Sequence, residues 1–223
     1  MDETLESAKE RAWREVAAID RAYAGGELDD AGWHAATAAL VVPAYVAAET
    51  PEGGSGHSGT PDDWEYSRGI VAETIGGHRT FLDVGCANGL LMESIHRWTG
   101  VEPSGLEIAP ALAALARERY PRWADRIFEG NALGWESPMR YDVVRTSLEY
   151  VPPPRRPGLL RHLLDRVVAR GGRLVVGKFN EEVGRTALED EVTSWGHVVA
   201  GRAERPHRAE PRLAYRVFWI DRD

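Results

Sequence analysis

The segment Phe81-Leu82-Asp83-Val84-Gly85-Cys86-Ala87-Asn88-Gly89 concentrates the residues able to do chemistry. An apolar strand ends in an acid, and a glycine-bounded turn then opens a helix. Gly85 lets the backbone turn sharply and lets a ligand approach with no Cβ in the way. Gly89 permits close packing where the helix begins. A dinucleotide fingerprint needs G-x-G-x-x-G, but from Gly85 onward positions 87 and 90 are Ala and Leu. Cys86 lies inside the turn. A nucleophilic thiol needs an activating base beside it, and the sequence places none there. His57, in the loop Ser55-Gly56-His57-Ser58-Gly59-Thr60, is a candidate general base if that loop closes over a site. No cluster has metal-ligand spacing, so no metal is expected.

The D-x-G-x-x-x-G pattern resembles motif I of the class I S-adenosylmethionine (SAM)-dependent methyltransferases. The resemblance implies that Asp83, Gly85, Cys86, Ala87 and Gly89 surround the methionine part of SAM, with Asp83 either touching the ligand or anchoring the loop. Glu107 ends the second strand, followed by Ile108, and in such enzymes an acid there accepts hydrogen bonds from the ribose hydroxyls. Asn131 stands where the family usually has Asp. Its side-chain oxygen would accept from the adenine amino group, and the Ala132 amide would donate to the ring. Tyr141-Asp142-Val143-Val144 with Leu148-Glu149-Tyr150-Val151-Pro152 is similar to motif IV and its succeeding helix, with Tyr150 in place of a common His. Arg145, Thr146 and Ser147 would then face the methyl acceptor, and Glu149, Tyr150 and His57 are the candidate bases. Relatives with an N-terminal helical cover use an aromatic residue and an arginine from the helix before strand one. Trp64 and Arg68 fit those places, with Arg68 on the methionine carboxylate. SAM would be the cofactor and S-adenosylhomocysteine (SAH) its product.

The elements that must position these residues are legible from periodicity. Apolar residues three and four apart predict a helix over 3–24. Asp29 or Asp30 caps a second helix to about Leu40, whose end Pro43 disturbs. Residues 50–60 hold four glycines and a proline and read as a linker or mobile loop. Thr60-Pro61-Asp62-Asp63 then starts a helix with an N-cap, a first-turn proline and an acid at the third position, and it runs through Ile75 until Gly76-Gly77 stop it. Strands are expected at 80–84, 104–108, 126–129, 141–146 and 173–179, separated by helices near 89–98, 110–120 and 154–170. This is the pattern of a parallel sheet with crossover helices. A helix near 183–195 precedes an antiparallel ribbon at 197–203 and 213–221. The family resemblance implies an α/β three-layer Rossmann-like sandwich, its seven strands ordered 3-2-1-4-5-7-6 with the last antiparallel. Residues 1–60 would form a helical cap and Gly-rich loop, and 61–223 the SAM-binding domain.

Composition narrows the function. The chain has 223 residues, a net charge of −8 and one cysteine. It lacks a stretch of 18 apolar residues and an apolar leader at its start, so a cytoplasmic protein without a membrane span is expected. Residues 153–178 carry seven bases and one acid. Those arginines do not share one stripe and have no interleaved aromatics, so a solvated face is favoured over a nucleic-acid surface. The reading is a SAM-dependent methyltransferase acting at oxygen or nitrogen of a small molecule. An RNA or protein methyltransferase using 153–178, a nicotinamide-dependent oxidoreductase and a non-catalytic SAM-binding module are the alternatives. Glu107→Ala is expected to weaken SAM binding by about 2 kcal/mol, because charge-assisted hydrogen bonds are lost. Calorimetric titration checks this, and an unchanged dissociation constant removes Glu107 from the site.

Overall fold

The alternation of apolar strands with amphipathic helices closes into one twisted sheet. The computed structural model of the chain describes residues 5–184 and 186–223, so the expected start of the first helix, at 3–4, lies outside the described residues. Seven strands are ordered β3-β2-β1-β4-β5-β7-β6. They are β1 (Thr80–Val84), β2 (Glu102–Glu107), β3 (Ile127–Glu129), β4 (Tyr141–Thr146), β5 (Val168–Glu182), β6 (Gly201–Pro206) and β7 (Leu213–Asp221). The first five pair in parallel, and β7 runs antiparallel to both β5 and β6. The helices are α1 (Leu5–Ala24), α2 (Asp30–Val46), α3 (Pro61–Ala72), α4 (Leu90–Thr99), α5 (Pro110–Arg119), α6 (Arg156–His162) and α7 (Ala187–Ser194).

Strand alternation divides the core between the two faces of the sheet. Leu82, Val84, Val144, Leu174 and Val176 pack against α6 and α7. Phe81, Val143, Val175 and Val217 pack against α3 and α4 through Trp64, Ile70, Leu91 and Ile95. The same alternation turns Asp83 and Arg145, which are register partners on β1 and β4, toward the α3–α4 face.

Several boundaries differ from the sequence reading. α2 continues through Pro43 to Val46, because the proline sits exposed in the last turn and removes only one backbone donor. The Pro43 carbonyl still accepts from the Ala47 amide at 3.0 Å. α3 ends at Ala72, and the Thr74 and Ile75 amides turn back onto Val71 and Ala72. The predicted 154–170 helix is shorter, and β5 begins at Val168. A register shift between Tyr141 and Val143, with Gly171 at φ +72°, absorbs the extra residues. The first ribbon strand starts at Gly201 rather than at His197.

The Gly-rich segment is a correction rather than a boundary shift. It forms a short 3-10 turn at Gly53–Ser55 docked on the turn after β1. Asn88 is fully buried. Its Nδ2 donates to the Pro51 carbonyl at 2.7 Å, and its Oδ1 accepts from the Ser55 hydroxyl at 2.5 Å and from the Leu90 amide at 3.1 Å. Gly54 is needed there, since a Cβ would lie 2.5 Å from Asn88 Nδ2. Two further bonds hold the cap. Trp33 donates to Asp20 at 2.8 Å, and Arg155 forms an ion pair with Asp30 at 2.7 Å. Asn88→Ala is expected to lower stability by about 1–3 kcal/mol through unsatisfied buried groups. It should also speed proteolysis within residues 50–60, which denaturant titration and timed digestion read together.

Candidate functional site

The site is built around an ion pair that the strand register imposes. Arg145 Nη1 donates to Asp83 Oδ1 at 3.2 Å, with side chains only 7% and 2% exposed. The same nitrogen donates to the Tyr150 hydroxyl at 3.0 Å. Burial pushes the Asp83 carboxyl up to about 6, against the pull of Arg145. Burial also raises the Tyr150 phenol, with Arg145 opposing, so Tyr150 stays neutral. Arg145 is held above its ordinary value: burial opposes its charge, and Tyr150 and Asp83 outweigh that penalty.

The turn after β1 is held by a second carboxylate. Gly85 and Gly89 have φ of +76° and +81°, and Ala87 lies at +48°. Glu107 Oε2 accepts from the Ala87 amide and Oε1 from the Ala109 amide, both at 2.9 Å. Burial raises the Glu107 carboxyl, and the amides draw it back down. A Cβ on Gly85 would sit 2.5 Å from the Tyr150 ring, and one on Gly89 would sit 2.9 Å from Tyr120. Both glycines are therefore demanded by packing within the chain.

Above this turn lies a cavity of about 570 Å³. One wall is Gly85, Cys86 and Ala87, and a second is Arg145, Ser147, Glu149 and Tyr150. Trp64 and Arg68 of α3 form a third, with the Arg68 guanidinium 5.2 Å from the Trp64 ring centre. His57 closes the top, edge-on to Trp64 at 5.8 Å. Burial and then the repulsion of Arg145 bring Arg68 down to about 10. Burial first, and then Arg68, lower the His57 imidazole, with Asp63 and Glu52 opposing. Its Nε2 is buried without a partner. A separate apolar crevice of about 420 Å³ runs between α2 and residues 108–111.

Residues 81–172 match the family described as a methyltransferase domain. A curated relative, the ubiquinone biosynthesis O-methyltransferase of Alkalilimnicola ehrlichii, is 33% identical over 116 residues. That match spans 49% of this chain and 46% of the relative, so the chain covers about half of that protein's length. Over residues 81–172 the chain is therefore similar to a methyltransferase domain. Among solved structures, the N-methyltransferase NodS from Bradyrhizobium japonicum WM9, in complex with SAH, shares the fold with a TM-score of 0.57 at 15% identity. That alignment covers 80% of this chain and 95% of NodS. The [4+2]-cyclase SpnF shares it with a TM-score of 0.56 at 16% identity, over 71% of this chain and 80% of SpnF.

The fold gathers many of the expected residues in one cavity: Asp83, Gly85, Cys86, Ala87, Arg145, Ser147, Glu149 and Tyr150, with Trp64, Arg68 and His57. Thr146 is not among them. It is fully buried on the opposite sheet face, as the two-residue strand period requires, with its hydroxyl on the Ser147 carbonyl at 3.2 Å. Glu107, Asn131 and Ala132 line neither cavity, and Ile108 lines the crevice. Asn131 Oδ1 is engaged by the Leu133 amide at 3.0 Å. The Cys86 thiol is buried, and burial raises it well above its usual range. It is a small turn residue and not a nucleophile. SAM fits this set: a guanidinium stands beside a glycine turn for its carboxylate, and Glu107 bridges the turn to the end of β2.

Sequence reasoning missed Tyr45, His207, Arg208 and Tyr215, which complete the cavity. Burial pushes the Tyr45 phenol up to about 12. Only a lone tyrosine before a Gly-rich segment, and a polar loop between two prolines, hinted at them. Arg145→Met is expected to cost about 3–5 kcal/mol at pH 7.5, because Asp83 is left buried without its partner. Asp83 titrates above its ordinary 3.8, so the wild-type fold loses stability as pH rises from about 3.8 through about 6. Loss of Arg145 removes the pull that lowers Asp83 and raises it further, so the variant's deficit should shrink as pH falls from 8 toward 6, which denaturation across pH 5–8 measures.

Proposed function

We propose that the protein transfers a methyl group from SAM to oxygen or nitrogen of a small-molecule acceptor. Residues 61–223 would bind the cofactor, and residues 1–60 would act as the lid. The observation that carries this reading is the cavity of about 570 Å³. It has the turn after β1 as floor and His57 of the Gly-rich segment as roof, and it is of a size for small ligands. When bound, SAM supplies a methyl group on a sulfonium, an already activated leaving group. The chain must then align, exclude water and accept a proton. Trp64, Tyr45 and Tyr150 wall off solvent. Arg68 holds the carboxylate of the amino-acid end. The turn at Gly85–Ala87 and Arg68 would hold the cofactor, which would supply the methyl group to the acceptor heteroatom and leave as SAH. The acceptor's proton passes to His57 Nε2, which burial and Arg68 keep neutral. Tyr150 holds its own proton too firmly to serve as the base, so its part is to position Arg145 and the turn.

The curated relative supports a small acceptor: it is a ubiquinone biosynthesis O-methyltransferase. The basic segment adds little to an RNA reading. Arg155 is paired with Asp30, Arg156 donates to the Leu148 carbonyl, and Arg173 is paired with Asp221 at 3.2 Å. Among the described residues, no helix is long and apolar enough to cross a membrane.

The test is incubation with SAM and a panel of phenols, alcohols and amines, with SAH and methylated product measured by mass spectrometry. Equal amounts of both are expected. kcat/KM should fall on the acidic side, below the ordinary histidine value of 6.5, as His57 takes up a proton. His57→Gln should reduce kcat about 100-fold or more and abolish that limb. SAM binding with no methylated product from any acceptor would instead make this a binding module.

A further inference from the structure

The cavity extends well beyond the glycine turn. Its wall crosses the sheet from the turn after β1, past Arg145 on β4 and Gly177 on β5, to Tyr215 on β7. Neighbouring strands lie ~4.8 Å apart, so three strand steps set its two ends about 14 Å from each other. The far end is bounded by the turn between β6 and β7, which contributes His207, Arg208 and Ala209.

That turn is tied down on several sides. The His207 ring lies 4.9 Å from the Tyr215 ring, which packs edge-on to Tyr66 at 6.1 Å. Arg208 stands 4.2 Å over the Tyr66 ring and pairs with Asp62 at 2.5 Å. The deciding contacts are at His207 Nδ1, which accepts from the Ala209 amide at 3.2 Å and from the Glu210 amide at 3.0 Å. An amide can only donate, so Nδ1 is a lone pair and Nε2 carries the proton. Nδ1 faces the backbone of its own turn, and the Nε2–H edge is turned away from it. Among the described residues nothing accepts from that N–H.

The roof offers the opposite polarity, since His57 Nε2 is an unpartnered lone pair. Charged groups on the walls pair with each other: Asp83 with Arg145, and Arg208 with Asp62 and Asp63. Arg68 is matched above to the cofactor's carboxylate. Tyr45, Trp64 and Tyr215 supply aromatic faces.

We propose that His207 selects the methyl acceptor, with Nε2–H donating to a ring oxygen substituent of an uncharged aromatic compound whose hydroxyl or amine faces His57. The inference rests on the methyltransferase reading above and narrows its acceptor to aryl hydroxyls or amines that carry a second oxygen. An acceptor lacking that oxygen would leave the His207 N–H desolvated and unpaired, a loss that a site built around a hydrogen bond penalises.

The test compares methoxyphenols with the matching ethylphenols, which replace the ether oxygen by a methylene. Both series serve as acceptors with SAM and as ligands in calorimetric titration of the SAH-loaded full chain. Wild-type kcat/KM should favour at least one methoxyphenol over its ethyl partner about tenfold, through KM and with a matching ratio of dissociation constants. In His207→Asn the side-chain oxygen stands near the place of Nδ1 for the two amides, while Nε2–H is lost. The preference should fall to within about twofold, with SAH affinity also unchanged to within about twofold. His207→Gln carries an amide nitrogen near the place of Nε2 and should restore a preference of about threefold or more. No preference in the wild-type protein, a preference kept in His207→Asn, or none restored in His207→Gln overturns the assignment and leaves the methyltransferase reading standing. A fall in SAH affinity in His207→Asn does the same, since it places the residue on the cofactor. Failure of the wild-type protein to bind SAH overturns that reading and this one with it.

Discussion

Everything in the site hangs on the Glu107 carboxylate. It reaches from the end of β2 to the turn after β1 and accepts one amide from each side. That pair of bonds holds Ala87 in a left-handed conformation that a residue with a Cβ rarely adopts. Once Ala87 is fixed, Asn88 points inward and pins the Gly-rich segment, which in turn carries His57 to the roof of the cavity. Floor and roof are thus set by the same carboxylate, one directly and one through a buried amide.

The local parts of this arrangement were legible in the sequence. The strand ending in Asp83, the glycine turn, the capped start at Thr60 and the alternation of elements are short-range patterns. Together with the family resemblance they yield the observed strand order. The long-range parts were hidden. Nothing in the spacing of Asp83 and Arg145 says that they are register partners, because register depends on how separate strands align. Thr146 was misplaced by one step of the strand period, and one step changes the face.

The Gly-rich segment shows a different limit. Four glycines and a proline report conformational freedom in the unfolded chain. They do not report what the folded chain does with it. Here the absence of a Cβ at Gly54 is what lets the backbone lie against Asn88. The arginines of 153–178 were similarly ambiguous. Charge density alone cannot separate a binding face from guanidiniums that tie a helix cap, a loop carbonyl and a strand terminus together.

The cavity divides unevenly along the chain. The span that matches the methyltransferase family, residues 81–172, supplies the glycine turn, Asp83, Arg145 and Tyr150. Tyr45, His57, Trp64, Arg68, His207, Arg208 and Tyr215 come from before or after it. The walls of the cavity are therefore encoded in separate stretches of sequence. Drift in the outer stretches can reshape what the cavity admits while the turn after β1 keeps its form.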